Sequence, residues 1–443
     1  MRSTKFFAVV LIIVILTGIF SLSPAITSLV TSIVIGSTGQ ISATQVNAKS
    51  GYPQDIQAAV DWVAAVKGGT VYVPAGTWNW TGQTVTVPGG VSVIAASGTA
   101  GCTSHPSWTV NTASVIIYNN ITVPSSEMFT ISGNNSRISG IQFEATPPAN
   151  STAEAADSNC VAIGVSGAGN VSGVRIDHCT FINFCAMAVG VTTVQSGGPT
   201  NIASALIDHC VINNTYKMTP DPLGSGWLWG YGFYVGGWDT WWNDTTAPIT
   251  SFLGQFDTIP SGFPVLYVED CAMSYCRHAV DAIQGGWIVC RYCYINHPYP
   301  TYYGMLDEHG TGPNAWPSAR GFEFYDNTVV AEPTDDSEAA QVWLRGGGGV
   351  VFNNTFLNVA TESQYYGAIM LNNETTPGEL DETLHNVWIW GNTIDEGVLV
   401  MNGSGASFVQ NVEYFLRAPT LAQDGFAYTP YPYPHPLTLK AQP

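Results

Sequence analysis

The chain has 443 residues, a formal net charge of −19, and 10% charged against 45% hydrophobic residues. Typical soluble domains carry roughly 25% charged residues. So acidic a field repels phosphate and excludes nucleic acid as a partner, and it disfavours polyanionic sugars unless cations bridge them.

Met1–Lys5 carries Arg2 and Lys5, Phe6–Phe20 is almost wholly apolar, and Ser-Leu-Ser-Pro-Ala25 follows. This is the layout of a secretory signal over residues 1–25, or of a signal anchor reaching about residue 36 if Ile26–Ile35 stays attached. In either case the rest of the chain is expected outside the cell or on its surface. Asn-x-Ser/Thr sequons at Asn79, Asn120, Asn134, Asn150, Asn170, Asn213, Asn243, Asn353, Asn373 and Asn402 agree with export and glycosylation. The nine cysteines are an odd number, so at least one thiol is unpaired. No Cys/His spacing makes a zinc site.

From about residue 40 the chain reads as one domain. Pro53–Val66 puts Ile56, Val60 and Val63 on one helical face, opened by Pro53 and Asp55 and ended by Gly68-Gly69. A strand and tight turn follow, Thr70-Val-Tyr-Val-Pro-Ala-Gly-Thr-Trp78. The run Asp55-Ile-Gln-Ala-Ala-Val60, then Gly68-Gly-Thr-Val-Tyr-Val-Pro-Ala-Gly-Thr77, resembles the opening of the pectate-lyase-like superfamily. The resemblance implies a right-handed parallel β-helix whose first turn is capped by the helix. Thr84–Ala96 and Ile138–Phe143 are the next expected turns.

A short frame then keeps returning: an apolar residue, one or two polar residues, a Cys or Asn, a small or polar residue, an apolar residue. It places Cys179, Cys210, Cys271, Cys293, Asn327, Asn354 and Asn392, at intervals of 31, 61, 22, 34, 27 and 38 residues by subtraction. Periods of this size point to a repeat architecture. Each unit is a short strand that cannot bury its own apolar face, and stacking buries it. The fold class expected is all-β, a right-handed parallel β-helix, with the Cys and Asn side chains stacked about 4.8 Å apart. Parallel stacking at that spacing does not suit relaxed disulfides, so the four ladder cysteines are expected to be free thiols, and Cys160, Cys185, Cys276 and Cys290 are the better candidates for disulfides. The interval of 61 fits two turns, or one turn with an insertion.

Residues 217–262 interrupt the repeat and are rich in aromatics, among them Trp241 and Trp242, which suggests an insertion projecting from the coil. A second excursion over 297–318 carries Trp316. Residues 418–443 end in Tyr-Thr-Pro-Tyr-Pro-Tyr-Pro-His-Pro and read as an extended tail.

Three constellations could carry chemistry. Ile-Asp177-His178 and Ile-Asp208-His209 resemble the Trp-Ile-Asp-His motif of pectate lyases, with Arg175 and Leu206 in place of the Trp. An active site needs one copy, so the duplication favours a structural role. Arg277-His278-Ala-Val-Asp281 and Asp307-Glu308-His309 form the second. If Asp281 and Asp307 fall on adjacent turns of one sheet, their mutual repulsion raises one pKa and yields a proton donor beside a charged partner. Glycosidases use such pairs, at about 5–5.5 Å for retention and about 6.5–9.5 Å for inversion. His278 and His309 would assist proton transfer. Arg277, Arg320 and Arg345 would hold substrate, the last two gripping a carboxylate. Calcium is the one cofactor these carboxylates suggest, as in lyases that acidify a uronate. The third constellation is aromatic: Trp241, Trp242 and Trp316 as platforms for sugar rings.

The enzyme motifs of the superfamily are mostly missing. Polygalacturonases carry Asn-x-Asp, Asp-Asp, Gly-His-Gly and Arg-x-Lys in order. Here Glu308 precedes His309-Gly310, Asp335-Asp336 follows it, and no Arg-x-Lys occurs. The expected function is therefore action on, or binding of, an extracellular polysaccharide, as a glycoside hydrolase or polysaccharide lyase. The competing class is a non-catalytic, glycosylated surface or adhesive protein whose coil is a rigid spacer. The expected partner is a glycan, together with the cell envelope if the N-terminal segment is retained.

Overall fold

The computed structural model describes residues 44–120, 127–146, 161–184, 186–193, 202–214, 230–237, 249–251, 253–254, 264–297, 304–310, 318–331, 340–359, 361, 367–374, 384–403 and 406–440. The N-terminal segment, Cys160, Cys185, Trp241, Trp242, Trp316 and Asp335-Asp336 lie outside them.

The chain is a right-handed parallel β-helix. Three parallel sheets run along its axis, and successive turns add one strand to each. Sheet 1 has twelve strands, from Thr44–Asn47 to Tyr414–Phe415. Sheet 2 has ten, from Gly76–Trp80 to Thr393–Ile394, and sheet 3 has ten, from Val85–Val87 to Val400–Asn402. One turn shows the order: Val265–Glu269 in sheet 1, Ala272–Ser274 in sheet 2, Val280–Ile283 in sheet 3, then Trp287–Arg291 back in sheet 1.

The recurring frame is the corner between sheets 1 and 2. The residue before each ladder position takes a left-handed backbone: His178, His209, Asp270, Tyr292, Asp326 and Asn353 all have φ of 51–56°. That bend turns the next side chain inward, where the ladder forms. Cys179, Cys210, Cys271 and Cys293 are fully buried free thiols. Below them the Asn327 Nδ2 donates to Asn354 Oδ1 at 3.0 Å, and the Asn354 Nδ2 to Asn392 Oδ1 at 2.9 Å. Each amide also serves backbone, for instance Asn354 Nδ2 to Phe324 O at 2.9 Å. Buried polar groups are therefore satisfied within the stack. The 61-residue interval is a single turn with an insertion, because Asp208 pairs directly with Glu269. Cys276 and Cys290, expected as disulfide candidates, are instead buried free thiols. Cys276 Sγ donates to Ser274 O at 3.6 Å, and Cys290 Sγ to Asn327 Oδ1 at 3.8 Å, so the apolar core absorbs both as small packing groups.

Helix α1 (Pro53–Ala65) closes the N-terminal end, burying Pro53, Ile56, Ala59, Val60 and Val63. Its Gln57 side chain donates to Thr86 O at 3.2 Å and accepts from Thr86 N at 2.8 Å. The amide thus occupies backbone groups on the first strand of sheet 3, which would otherwise be an open edge. Gly69, with φ of 145°, is required where the chain leaves the helix: a Cβ there would lie 2.1 Å from Thr44 O.

The residues after 418 lie along the outer face of sheet 1, with short helical turns at Leu421–Asp424 and Pro436–Leu439. Tyr428 Oη donates to Glu323 Oε2 at 2.6 Å, Arg291 Nη1 to Tyr431 O at 2.6 Å, and Tyr433 Oη to Asp270 Oδ1 at 2.9 Å. Here the tail covers a second apolar cluster that includes Tyr267, Trp287, Tyr325, Phe352, Trp388, Tyr431 and Leu437.

Candidate functional site

Sheet 3 brings the second constellation together. Its side chains alternate, so Val280 and Ala282 point into the coil while Asp281, between them, points out. Asp281 pairs in register with Asp307, and Asp307 with Trp343. The two carboxylates are therefore one strand spacing apart at the backbone, about 4.8 Å. Both face outward, yet Asp281 is 1% and Asp307 0% exposed.

The pair is asymmetric. Arg345 Nε donates to Asp307 Oδ1 at 3.1 Å, and its Nη2 to Asp307 Oδ2 in a second, shorter bond. Its Nη1 donates to Glu374 Oε1 at 2.5 Å, and its guanidinium lies 4.2 Å from the centre of the Trp343 ring. Burial raises the Asp307 pKa, but Arg345, with His278 and His309, more than offsets it and holds that carboxyl below its ordinary range. Asp281 has no such clamp. Its hydrogen-bond partner among the described residues is the carboxylate of Asp307. Burial first, then the Asp307 charge, push it well above the usual carboxylate range. At neutral pH the arrangement is a protonated Asp281 beside an ionised Asp307.

His278 Nδ1 sits 2.5 Å from Gly304 O, so Nδ1 carries the proton and Nε2 is the basic nitrogen. That Nε2 lies 3.8 Å from Asp307 Oδ2. Burial pushes His278 down to about 3 despite the attraction of Asp307, so the ring is neutral. It stacks on Tyr231 at 5.3 Å, and Arg277 lies 5.7 Å from the centre of the same tyrosine ring. His309 Nδ1 donates to Gly310 O at 2.9 Å and lies 3.5 Å from Glu374 Oε2. Arg320 enters the next strand of sheet 1, its N–H bonded to Gly286 O at 2.8 Å. Two neighbours, Trp343 and Glu374, were not singled out from sequence, and a third, Glu308, was named there without a role. Trp343 precedes Arg345 by two residues, a period-2 relation that marks a shared face. Glu374 follows a strand end and carries no local signal. Glu308 pairs with Ala282 and Leu344, both core residues, so its carboxyl points into the coil. Neither Glu308 oxygen is hydrogen-bonded to a described residue, and burial, then Asp307 and Asp281, raise its pKa well above normal.

Calcium does not fit this cluster. A hard cation needs several oxygen ligands, and among the described residues both Asp307 oxygens are already bound by Arg345 while the Glu308 carboxyl points into the coil.

The duplicated Asp-His motif lies at the sheet 1–sheet 2 corner. Asp177 accepts from Arg137 Nε and Nη2, both at 2.6 Å, and Asp208 from Arg175 Nε and Nη2, both at 2.8 Å. Each aspartate accepts from the Nδ1 of its own histidine at 2.8 Å. The two imidazoles stack at 4.7 Å with 9° between planes. His178, Asp208 and His209 are close enough to ligate one metal ion, but each Nδ1 is already engaged and parallel stacked rings aim their lone pairs side by side rather than at a common point.

No family model matches this sequence, and no curated protein matches it. The chain is similar in fold to solved structures. Against the alginate lyase from Paenibacillus sp. str. FPU-7 the identity is 13%, covering 88% of this chain and 98% of that one, with a TM-score of 0.45. A double mutant of the tailspike protein of E. coli bacteriophage HK620, in complex with pentasaccharide, gives 12% identity over 85% and 63% of the two chains, with a TM-score of 0.42. The Streptococcus pneumoniae surface protein and adhesin PfbA gives 13% over 84% and 98%, with a TM-score of 0.35. Such values describe the coil and assign no activity.

Proposed function

We propose that this protein acts on a polysaccharide, with Asp281 as proton donor and Asp307 as its charged partner. One observation carries the reading. Asp281 is a buried carboxyl whose only hydrogen-bond partner among the described residues is the adjacent carboxylate of Asp307, and Asp307 is itself clamped twice by Arg345. A buried acid held protonated beside a clamped carboxylate is a strongly perturbed pair, and such pairs cluster at functional sites. The protonated acid would donate to a glycosidic oxygen as the bond breaks, and the ionised partner would stabilise the positive charge developing on the sugar. His278, neutral and with an unprotonated Nε2, would accept a hydrogen bond from the substrate beside the acid pair. Arg277 and Arg345 would orient the substrate; Arg320, Trp241, Trp242 and Trp316 remain proposed contacts. A location outside the cell or on its surface belongs to the same reading.

A second reading is favoured by the closure of the cluster, since Asp281 and Asp307 have almost no exposed surface. On that reading the coil is a non-catalytic surface or adhesive spacer. A reducing-end and unsaturated-uronate screen over mixed polysaccharides separates the two. The catalytic reading expects turnover that Asp281→Asn abolishes. A folded protein with no turnover on any glycan supports the spacer.

A further inference from the structure

The loop over residues 97–114 runs along the outside of the sheet 1–sheet 2 corner and crosses several turns. Gly101 N–H donates to Thr180 Oγ1 at 2.9 Å, Cys102 N–H to His209 O at 2.9 Å, and His105 N–H to Asp270 Oδ1 at 2.9 Å. Trp108 Nε1 reaches Tyr292 O at 3.0 Å. The loop seats this closely because residue 101 is glycine: with φ of 73°, a Cβ there would lie 2.1 Å from His209 O. Seated so, the loop sets Ser104 Oγ 2.8 Å from His209 Nε2. The other ring nitrogen, Nδ1, is 2.8 Å from Asp208 Oδ2, and Asp208 is itself fixed by Arg175.

This is a nucleophile, a base and an orienting carboxylate in series. Asp208 is fully buried and fixed by Arg175, so in its neutral form His209 keeps its proton on Nδ1 against Asp208 and offers the Nε2 lone pair to the Ser104 hydroxyl. Burial lowers the His209 pKa, but Asp208 outweighs it, so the net shift is upward. The Ser104 side chain is half-buried, hence reachable. Its backbone N–H makes no hydrogen bond to a described residue and is one donor for a developing oxyanion. With a single donor the arrangement suits esters, whose alcohol leaves more readily than an amine.

We propose that Ser104, His209 and Asp208 form a second, independent catalytic site that hydrolyses small acyl esters. Ser104 Oγ bonds to the acyl carbon while its proton passes to His209 Nε2. The bond from that carbon to the leaving oxygen breaks, and the leaving oxygen takes the proton from His209 as the alcohol departs. Water, giving a proton to His209, then attacks the acyl carbon. The Ser104 ester bond breaks, Ser104 Oγ recovers its proton, and the acid is released. Ester and water become acid and alcohol, with no other reactant.

A fluorophosphonate probe and p-nitrophenyl acetate test this on the full chain. The probe is expected on Ser104 by peptide mapping, and Ser104→Ala is expected to lose labelling and lower hydrolysis on the order of 100-fold. Ser97→Ala, an exposed hydroxyl of the same loop outside the site, is the control and keeps both. Circular dichroism establishes that each variant is folded. A folded wild type in which Ser104 is labelled no faster than Ser97, or a Ser104→Ala variant that hydrolyses the ester at the wild-type rate, overturns the proposal. Neither outcome bears on Asp281, which lies on a different sheet.

Discussion

Asp281 and Asp307 sit directly opposite one another on adjacent parallel strands, and of the two only Asp307 is hydrogen-bonded to a guanidinium among the described residues. Two like residues in one geometry thus hold opposite protonation states, because a single arginine reaches one of them. Their conservative substitutions should therefore behave differently. Asp281→Asn replaces a neutral acid by a neutral amide of the same shape, and unfolding free energy should change by less than about 1 kcal/mol. Asp307→Asn leaves Arg345 without its main partner in a buried setting and should cost roughly 3–5 kcal/mol. Urea denaturation of both variants at pH 7 checks the contrast, and equal losses would contradict it.

Glu308 supplies a second prediction. Its carboxyl is directed into the coil between Ala282 and Leu344, and its folded pKa is raised. A group of this kind favours the folded state below its unfolded pKa and loses that contribution as pH rises. Glu308→Leu should therefore stabilise the protein by roughly 1–3 kcal/mol near neutrality, with a larger gain at pH 8 than at pH 5. Thermal melts at the two pH values read this directly. A loss of stability at both would mean the carboxyl has a partner that the leucine removes.

The third concerns the tail. Glu269 and Glu323, beneath it, are each pushed up to about 7, chiefly by burial. Raised folded values mean stability falls as pH climbs from about 4.5 through 7. Glu323 accepts from Gly254 N–H at 2.9 Å and from Tyr428 Oη at 2.6 Å, and a glutamine can keep both contacts. Glu323→Gln should flatten the stability profile over that window and gain on the order of 1–3 kcal/mol at pH 8. An unchanged slope between pH 5 and 8 would show that Glu323 does not titrate there.

The ladder gives the fourth. Asn354 Oδ1 accepts from both Asn327 N–H and Asn327 Nδ2, and its amide donates to Phe324 O and to Asn392 Oδ1. Asn354→Ala leaves these buried groups unpaired and opens a void, so a loss of roughly 2–4 kcal/mol is expected. A loss below about 0.5 kcal/mol, the level of an ordinary surface change, would remove the ladder from the account.

The coil was legible in the sequence because one frame repeats and each repeat must bury the next. The register of Asp281 with Asp307 was only a conditional expectation, since Asp281 lies ten residues beyond Cys271 and Asp307 fourteen beyond Cys293, and the strand pairing itself brings them opposite one another. What lay beyond reach comes from long-range packing. Glu374 joins Arg345 from a stretch with no repeating frame, and Ser104 meets His209 across 105 positions because Gly101 lets a loop lie flat on the corner. Cys276 and Cys290 looked free to pair because they fall off the ladder, yet each is a buried thiol of the apolar core. Trp343 was within reach, since period-2 alternation from Arg345 points to it.

The protonation asymmetry of the dyad underlies the catalytic reading, and infrared difference spectroscopy of wild type against Asp281→Asn at pH 7 measures it most directly. The account predicts a protonated-carboxyl carbonyl band in the wild type that the variant lacks. Loss of an ionised-carboxylate band instead, with no change in the protonated one, would show Asp281 to be charged and contradict its role as a proton donor.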